Sequence, residues 1–244
     1  MTNGSQSVPT RLGAAAGTAA SAAANTLATV AGDEAVTLFA DRALFWPRRR
    51  TLFVADVHLG KTATFRASGV PLPRGTTAHD LARLSGLIAR SQATRVVVLG
   101  DFLHARAGRV AALDEAVRAW RGAHRHIDVV LIRGNHDTHA GDPPAHWAIE
   151  CRPEPFALPP FLACHHPVTP PSGYALCGHL HPGVWLSGHG EESVRLPCFV
   201  LGRRRAILPA FGRFTGLATV TPGARERIVA IAGASLFALP PAFR

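Results

Sequence analysis

Three groups of polar residues each follow a short apolar run, and their side chains are of the types that bind divalent metal ions. The groups are Asp56-x-His58, Gly100-Asp101 and Gly134-Asn135-His136-Asp137. The apolar runs before them are predicted to be buried strands, over Thr51–Ala55, Val96–Leu99 and Val129–Ile132. Ligands bind beyond the carboxyl ends of strands in open parallel sheets, so we expect the three groups to converge in space.

Two histidine groups further along the chain extend this donor set. They are His165-His166-Pro167 and Gly178-His179-Leu180-His181, and each follows a short apolar run. Carboxylates supply charge and can bridge two ions, imidazoles suit Mn, Fe and Zn, and an amide oxygen suits a harder ion. Two Asp, one Asn and four His are too many ligands for one ion and fit two. Two ions about 3.5–4 Å apart can activate a shared water and hold a phosphate for in-line displacement.

Two amphipathic helices are predicted between the three strands that position these groups. The first has Thr77 as its N-cap and an apolar face that includes Leu81, Leu84, Leu87 and Ile88. The second carries its apolar face on Val110, Leu113, Val117 and Trp120. Strand, helix, strand, helix, strand predicts a right-handed βαβαβ unit with a parallel sheet. After residue 150, short apolar runs broken by Pro and Gly predict a β-rich part without long helices.

The order of the polar groups resembles that of the calcineurin-like metallophosphoesterases. D-x-H, G-D, G-N-H-D, a His and G-H-x-H follow one another between Asp56 and His181. A finer similarity is to the ligase-associated DNA damage response endonucleases (PdeM). It is carried by Ala55–Lys61, Phe65-Arg66, Gly69–Pro73, Gly178–Pro182, Pro197–Phe199 and Pro209–Gly212. The resemblance implies an α/β fold, a four-layer α/β/β/α sandwich of the metallo-dependent phosphatase type.

The resemblance also implies a role for each polar residue. One ion would be held by Asp56, His58 and His181, the second by Asn135, His165 and His179, with Asp101 bridging both. A hydroxide between the ions would be the nucleophile. His136 would lie near the leaving-group oxygen, where it would donate a proton or stabilise developing charge, and Asp137 would orient His136. His165 is preferred because the family's ligand normally opens this element, and His166 stays as the alternative. The expected ions are Mn²⁺, with Fe or Zn as alternatives.

Four further residues next to the motifs are candidates for contact with substrate phosphates: Lys61, Arg66, His104 and Arg133. Arginine offers a two-pronged donor that matches phosphate oxygens. The alternative is that they are surface charges or ion-pair partners. His104 follows Asp101 by three residues, so it could instead support a metal ligand.

The activity implied by the resemblance is metal-dependent hydrolysis of phosphodiesters, as a DNA endonuclease in DNA repair. The implied partners are DNA, an ATP-dependent DNA ligase and a helicase. One alternative keeps the chemistry and acts on small nucleotides or other phosphoesters. A second alternative is a non-catalytic scaffold of the same fold, against which the complete set of metal-binding residues argues.

Composition agrees with this interpretation but does not identify a function. The 244 residues include 26 Lys and Arg against 16 Asp and Glu, a net charge of +10 that suits a polyanionic partner. Lys61 is the single lysine, so GC-rich coding could equally explain the arginines. If the protein is a nuclease, some arginines should line the path to Asp101. No apolar run is long enough to predict a membrane span, and we expect no secretory signal and no membrane partner.

The cysteines and the N-terminal stretch complete the predictions. Cys151, Cys164, Cys177 and Cys198 form no C-x-x-C pair, so they are expected to be core residues in a reducing, cytoplasmic compartment. Residues 1–32 are dominated by Ala, Gly, Ser and Thr, and are predicted to form a disordered extension. Residues 33–244 are predicted to form the metallophosphoesterase domain.

Overall fold

The computed structural model describes residues 24–73, 75–187, 193–223 and 225–240. A first sheet contains seven strands, whose order in space is their order along the chain. They are Thr26–Ala31 (β1), Glu34–Phe39 (β2), Ala43–Trp46 (β3), Thr51–Val54 (β4), Arg95–Leu99 (β5), Asp128–Ile132 (β6) and Glu150–Arg152 (β7). Strands β1 to β4 pair antiparallel, and β4 to β7 pair parallel.

The second sheet is built from the later part of the chain. Its nine strands are Phe156–Leu158 (β8), Phe161–Ala163 (β9), Tyr174–Cys177 (β10), Pro182–Ser187 (β11), Ser193–Leu201 (β12), Arg205–Ile207 (β13), Ala218–Thr219 (β14), Arg227–Ala232 (β15) and Ser235–Ala238 (β16). Seven of them follow the order β14-β11-β12-β13-β10-β9-β8, while β15 pairs with β12 and β16. The prediction of a β-rich second part is therefore confirmed.

Four α-helices are described: Lys61–Ala67 (α1), Thr76–Ser91 (α2), Ala111–Ala123 (α3) and Asn135–Ala140 (α4). Short 3₁₀ turns occur at Pro47–Arg49, Arg106–Gly108 and Ala145–Trp147. Helix α2 connects β4 to β5, and α3 connects β5 to β6, which confirms the predicted βαβαβ unit. No helix in the described ranges has the length and apolar character needed to cross a membrane.

The side chains of the central strands alternate between two cores. On β4, Leu52 and Val54 pack with α2 and α3, whereas Phe53 packs between the two sheets. Strand β5 divides in the same way, with Val96 and Val98 on the helix side and Val97 between the sheets. Successive residues of a strand point to opposite faces, so a continuous apolar run is what a strand covered on both faces requires.

The two mixed sheets pack face to face with apolar side chains between them, as in the α/β sandwich that the resemblance implies. Helices α2 and α3 cover the outer face of the first sheet. No helix follows Trp147 in the parts of the chain that the structure describes. The outer helical layer expected on the second sheet is therefore not seen among these residues.

One boundary predicted from composition is wrong. The predicted extension ended at residue 32, but β1 pairs with β2 along its whole length. Ala31 is fully buried, and Ala24 forms a bridge with Leu236. Backbone hydrogen bonding to a neighbouring strand holds this segment, so small side chains do not prevent it from being ordered. Residues 1–23 lie outside the described residues.

The predicted N-cap of α2 also differs from the structure. The helix begins at Thr76 and follows Gly75, whose φ of +83° is in the left-handed region. Thr77 therefore lies inside the helix. The hydroxyl of Thr76 contacts that of Thr62 at 2.8 Å, so the start of α2 is joined to α1.

Phe53 provides a test of the core between the sheets. It is fully buried and packs edge-on against Phe161. We expect Phe53→Ala to lower the free energy of unfolding by about 3–5 kcal/mol, because it leaves a cavity in a closed core. The matched control is Phe214→Ala, since that ring is 43% exposed, and it should change stability by no more than ~0.5 kcal/mol. Urea unfolding measures both, and equal losses would contradict the assigned core.

Candidate metal centre

The predicted ligands lie in the turns that follow five strands. Asp56 and His58 follow β4, Asp101 follows β5 and Asn135 opens α4 after β6. His165 follows β9, and His179 and His181 follow β10. Strands β4 to β6 are parallel neighbours, so their carboxyl ends share one edge of the first sheet. The second sheet meets that edge where the Phe211 backbone N–H donates to the Ala55 carbonyl at 2.7 Å.

Asp56, His58 and His181 form one compact donor group. The possible ligand atoms of all three lie within 4.8 Å of one another. His58 Nε2 is 3.3 Å from His181 Nε2, and Asp56 Oδ1 is 3.7 Å from the same nitrogen. These are the three residues predicted for the first ion.

Asn135, His165 and His179 form the second group. His165 Nε2 is 2.9 Å from Asn135 Oδ1 and 3.0 Å from His179 Nδ1. On the other side of the ring, His165 Nδ1 donates to the Leu99 carbonyl at 3.1 Å, because a carbonyl can only accept. The lone pair of His165 is therefore on Nε2, facing the other two donors. Such a backbone contact is how proteins fix the tautomer of a metal-binding histidine.

The Asp101 carboxylate lies between the two groups. Its Oδ2 is 3.8 Å from His58 Nε2 and 3.6 Å from His165 Nε2. Its Oδ1 accepts the His136 backbone N–H at 2.9 Å, which fixes the plane of the carboxylate. The structure thus brings all seven predicted ligands together, with Asp101 where a bridging carboxylate would have to be.

The electrostatics of the cluster fit divalent cations. Burial lowers the pKa of His58 to about 2, and it also lowers the pKa of His179. Both imidazoles are therefore neutral at pH 7, and no proton has to be displaced before they can bind a metal ion. Burial raises the pKa of Asp101, so a carboxylate at this place needs a nearby positive charge. Nitrogen lone pairs and carboxylates crowded together in this way are compensated by cations.

Five of the predicted ligands have a strained backbone. Their φ angles are positive: Asp56 53°, His58 51°, Asp101 52°, His179 72° and His181 47°. This region costs an L-residue about 1–2 kcal/mol, and such strain persists where the surrounding structure requires it, often at functional sites. Each turn redirects the chain sharply after its strand, so that the side chain points into the cluster.

Two glycines allow the ligands to approach the backbone. A Cβ at Gly100 would overlap the His165 ring, and one at Gly134 would overlap the Asp101 carboxylate. Gly100 also has a φ of +79°. The glycines of the G-D and G-N-H-D motifs therefore make room for ligands that arrive from other strands.

The structure distinguishes the two members of the histidine doublet. The His165 side chain is fully buried, whereas that of His166 is 47% exposed. His166 Nδ1 is 2.6 Å from Glu154 Oε1, and Glu154 Oε2 accepts both backbone N–H groups of the doublet. The His166 ring lies 4.4 Å from that of His179, so it borders the second group. Glu154 was missed in the sequence because it lies eleven residues away and belongs to no motif.

The predicted contact between Asp137 and His136 is wrong. Asp137 is fully buried and accepts the backbone N–H groups of Leu103 and Gly134, at 2.9 and 3.0 Å. Burial raises its pKa to about 6. Its two carboxylate oxygens thus join the loop after β5 to the start of α4, and no hydrogen bond from it to the His136 ring occurs among the described residues.

His104 takes the orienting role instead. His136 Nδ1 donates to the His104 carbonyl at 2.7 Å, and the two rings are stacked with centroids 4.8 Å apart. His104 Nδ1 is also 3.4 Å from His58 Nδ1. One residue therefore contacts both a predicted metal ligand and the predicted acid.

The other predicted substrate contacts divide into two groups. Lys61 is half-buried near the carboxylates of Asp56 and Asp101, and burial lowers its pKa. Arg133 instead forms a two-pronged ion pair with Asp142, at 2.8 and 2.7 Å. Arg66 donates to the carbonyls of Leu72 and Pro73. The structure thus brings Lys61 and His104 to the cluster. Arg66 and Arg133 are bonded to residues outside the cluster.

The fold and the site together define a metallophosphoesterase. The sequence model of the family described as calcineurin-like phosphoesterase matches residues 49–191, more than half of the chain. The chain belongs to this family, and it is an enzyme of the phosphoesterase class.

Solved structures give two comparisons. The crystal structure of the Pseudomonas putida nuclease MPE is 42% identical, with a TM-score of 0.78 over 88% of this chain and 100% of that chain. The E. coli phosphoesterase Yfce is 17% identical, with a TM-score of 0.34 over 75% of this chain and 88% of that chain. A search of curated proteins found no significant match.

The close approach at Gly100 can be tested without any metal. We expect Gly100→Ala to lower the free energy of unfolding of the metal-free protein by more than about 1 kcal/mol, because of its positive φ and the overlap with His165. Gly86→Ala is the control, since nothing lies within 4 Å of the added methyl inside α2, and it should stabilise by about 0.4–1 kcal/mol. Denaturant unfolding of the two variants gives the comparison, and a Gly100→Ala protein as stable as the control would refute the packing argument.

The assignment of the doublet can be tested by metal content. We expect His165→Asn to reduce Mn²⁺ bound per chain by about one ion, because its Nε2 lies in the donor group. His166→Asn should keep the wild-type stoichiometry, since its ring is turned to Glu154. Elemental analysis after Mn²⁺ loading and desalting measures both, and the reverse result would make His166 the ligand.

Proposed function

We propose that this metallophosphoesterase is a DNA endonuclease that hydrolyses phosphodiesters in DNA repair with two divalent ions. The observation that carries the proposal is the arrangement around Asp101, where two complete donor groups face each other beside His136. A scaffold that had lost catalysis would have no need to keep seven donors in strained, tightly packed turns.

The donor set suits two ions of the Mn²⁺ type. Asp56, His58 and His181 would hold one, Asn135, His165 and His179 the other, and Asp101 both. When bound, such ions attract phosphate oxygens and lower the pKa of a water molecule to near neutrality. Mixed nitrogen and oxygen ligands admit Mn²⁺, Fe and Zn, of which Mn²⁺ is the ion proposed here.

His136 would supply the proton for the leaving group. Its Nδ1–H donates to the His104 carbonyl, so Nε2 is the ring nitrogen that can transfer a proton to the leaving group. A proton on Nε2 passes to the leaving oxygen as the phosphodiester bond breaks, which is general acid catalysis. The stacked His104 ring fixes the direction in which this proton is offered.

DNA as substrate is supported by the relative whose name is nuclease, which is 42% identical over most of this chain. The net charge of +10 also favours a polyanion. The resemblance to the ligase-associated endonucleases adds an ATP-dependent DNA ligase and a helicase to the proposed partners. The four cysteines are all free thiols, which fits the cytoplasmic, reducing location proposed for it.

The test compares substrates in the presence of Mn²⁺: single-stranded DNA, duplex DNA, a cyclic nucleotide and methyl 4-nitrophenyl phosphate. We expect cleavage of DNA by the wild type. His136→Asn should lower kcat by about 10²–10⁴, because the proton donor is lost, while its Mn²⁺ content stays the same. His126→Asn is the control, since that exposed ring lies after α3, and it should have wild-type rates. Cleavage of the small substrates alone would refute the DNA assignment, and an active His136→Asn would show that the acid lies elsewhere.

A further inference from the structure

An exposed phenylalanine adjoins the candidate acid. Phe65, on α1, is 39% exposed. One face of its ring lies against His104, with centroids 6.0 Å apart and planes 21° from parallel. His104 in turn stacks on His136 at 4.8 Å with the same angle of 21°. The three rings form a column that starts at the candidate acid and ends at an aromatic face open to solvent.

The same helix face carries a cation that interacts with the cluster. Lys61 and Phe65 are four residues apart, so they are neighbours on one side of α1. Lys61 interacts with the charges of Asp56 and Asp101, while Phe65 contacts His104. Helix α1 therefore presents a positive charge and, one turn later, a flat apolar ring. A nucleotide carries the two groups that match them, which are a negatively charged phosphate and a flat base.

Backbone contacts hold α1 in this position. A Cβ at Gly60 would lie 2.6 Å from the Gly108 carbonyl oxygen, so the start of the helix is packed directly on the Arg106–Gly108 turn. At the other end, the Val70 N–H donates to the Phe65 carbonyl at 3.0 Å. The backbone that carries the ring is thus held in place before any ligand binds, and the ring itself lies against His104, which lowers the entropic cost of stacking on it.

We propose that the open face of Phe65 stacks on a nucleobase of the substrate strand, close to the phosphodiester that is cleaved. Lys61 contacts a phosphate between that base and the cleaved bond. The two steps of 4.8 and 6.0 Å along the column correspond to no more than about three nucleotides, at roughly 3.4 Å per nucleotide of a stacked strand. Whatever stacks on Phe65 must therefore be covalently near the reacting phosphate. This inference rests on the proposed function, because the base that stacks on Phe65 belongs to the strand that is cleaved.

The variant Phe65→Leu keeps an apolar side chain and removes the flat face. We expect it to lower kcat/KM for a single-stranded oligodeoxynucleotide by about 5- to 150-fold, mainly through KM, because one base–aromatic stack is lost. Methyl 4-nitrophenyl phosphate is too small to span the column, so its kcat/KM should stay within about twofold. Phe65→Trp should restore the oligonucleotide rate. Val30→Ala, at a 53% exposed valine on β1, is the control and should match the wild type.

A second measurement locates the base. An abasic residue is placed in turn at each position around the cleaved bond of the same oligonucleotide. One position should lower the wild-type kcat/KM by the factor that Phe65→Leu shows, and the abasic residue there should have no further effect on Phe65→Leu. Additive losses at every position would overturn the proposal.

The remaining outcomes are also decisive. Equal losses on both substrates would mean that Phe65 acts through His104 and His136, and unchanged rates on both would mean that its face is not used. Either result overturns the stacking proposal while DNA cleavage by the wild type stands. A wild type that cleaves only the small diester overturns the proposed function itself, and the base contact with it.

Discussion

The buried carboxylate of Asp101 is the constraint on which the rest of the site depends. It lies at the end of the central strand β5, between His58 and His165, which come from different sheets. Burial opposes its negative charge, and the neutral His58 imidazole beside it supplies no positive charge in return. Such a group is tolerated only if cations or hydrogen bonds compensate it. The backbone N–H of His136 provides one hydrogen bond, and the donor groups on either side provide places for cations. The packing of the two sheets face to face thus brings the candidate metal ligands from distant parts of the chain to a single carboxylate.

This arrangement is maintained against local conformational preference. Positive φ angles at five predicted ligands oppose folding of the isolated turns, and the close approaches at Gly100 and Gly134 leave no room for a side chain there. The apolar layers on both faces of β4, β5 and β6 offset this cost, because nearly every side chain of these strands is buried. Strain concentrated in turns at the ends of well-packed strands is what a site needs when its geometry must not relax. The stability of the core and the precision of the site are therefore two results of the same strand sequences.

The sequence predicts the parts of this structure that are encoded locally. Continuous apolar runs followed by polar residues identify β4, β5 and β6, and the order of the motifs identifies the donor set that the structure brings together. What it does not predict depends on contacts between distant residues. Glu154 holds the histidine doublet through backbone N–H groups, and this leaves no pattern in the spacing. The role expected of Asp137 is taken by the carbonyl of His104, because the loop after β5 folds over α4. β1 is held by backbone pairing, which an estimate from composition does not detect.

The positions of the charged side chains also depend on contacts that the sequence alone does not predict. A net charge of +10 suggests a broad attraction for polyanions, yet Arg133 is paired with Asp142 and Arg66 is bonded to its own loop. Lys61, the single lysine of the chain, is a cation that interacts with the two carboxylates of the cluster. Long-range charge accelerates encounter with a polyanion but does not select which bond is cleaved. That selection needs short-range contacts at fixed distances from the reacting phosphate. Helix α1 has the geometry to provide them, because its cation interacts with the carboxylates of the candidate metal centre while its aromatic ring continues the stack that begins at His136.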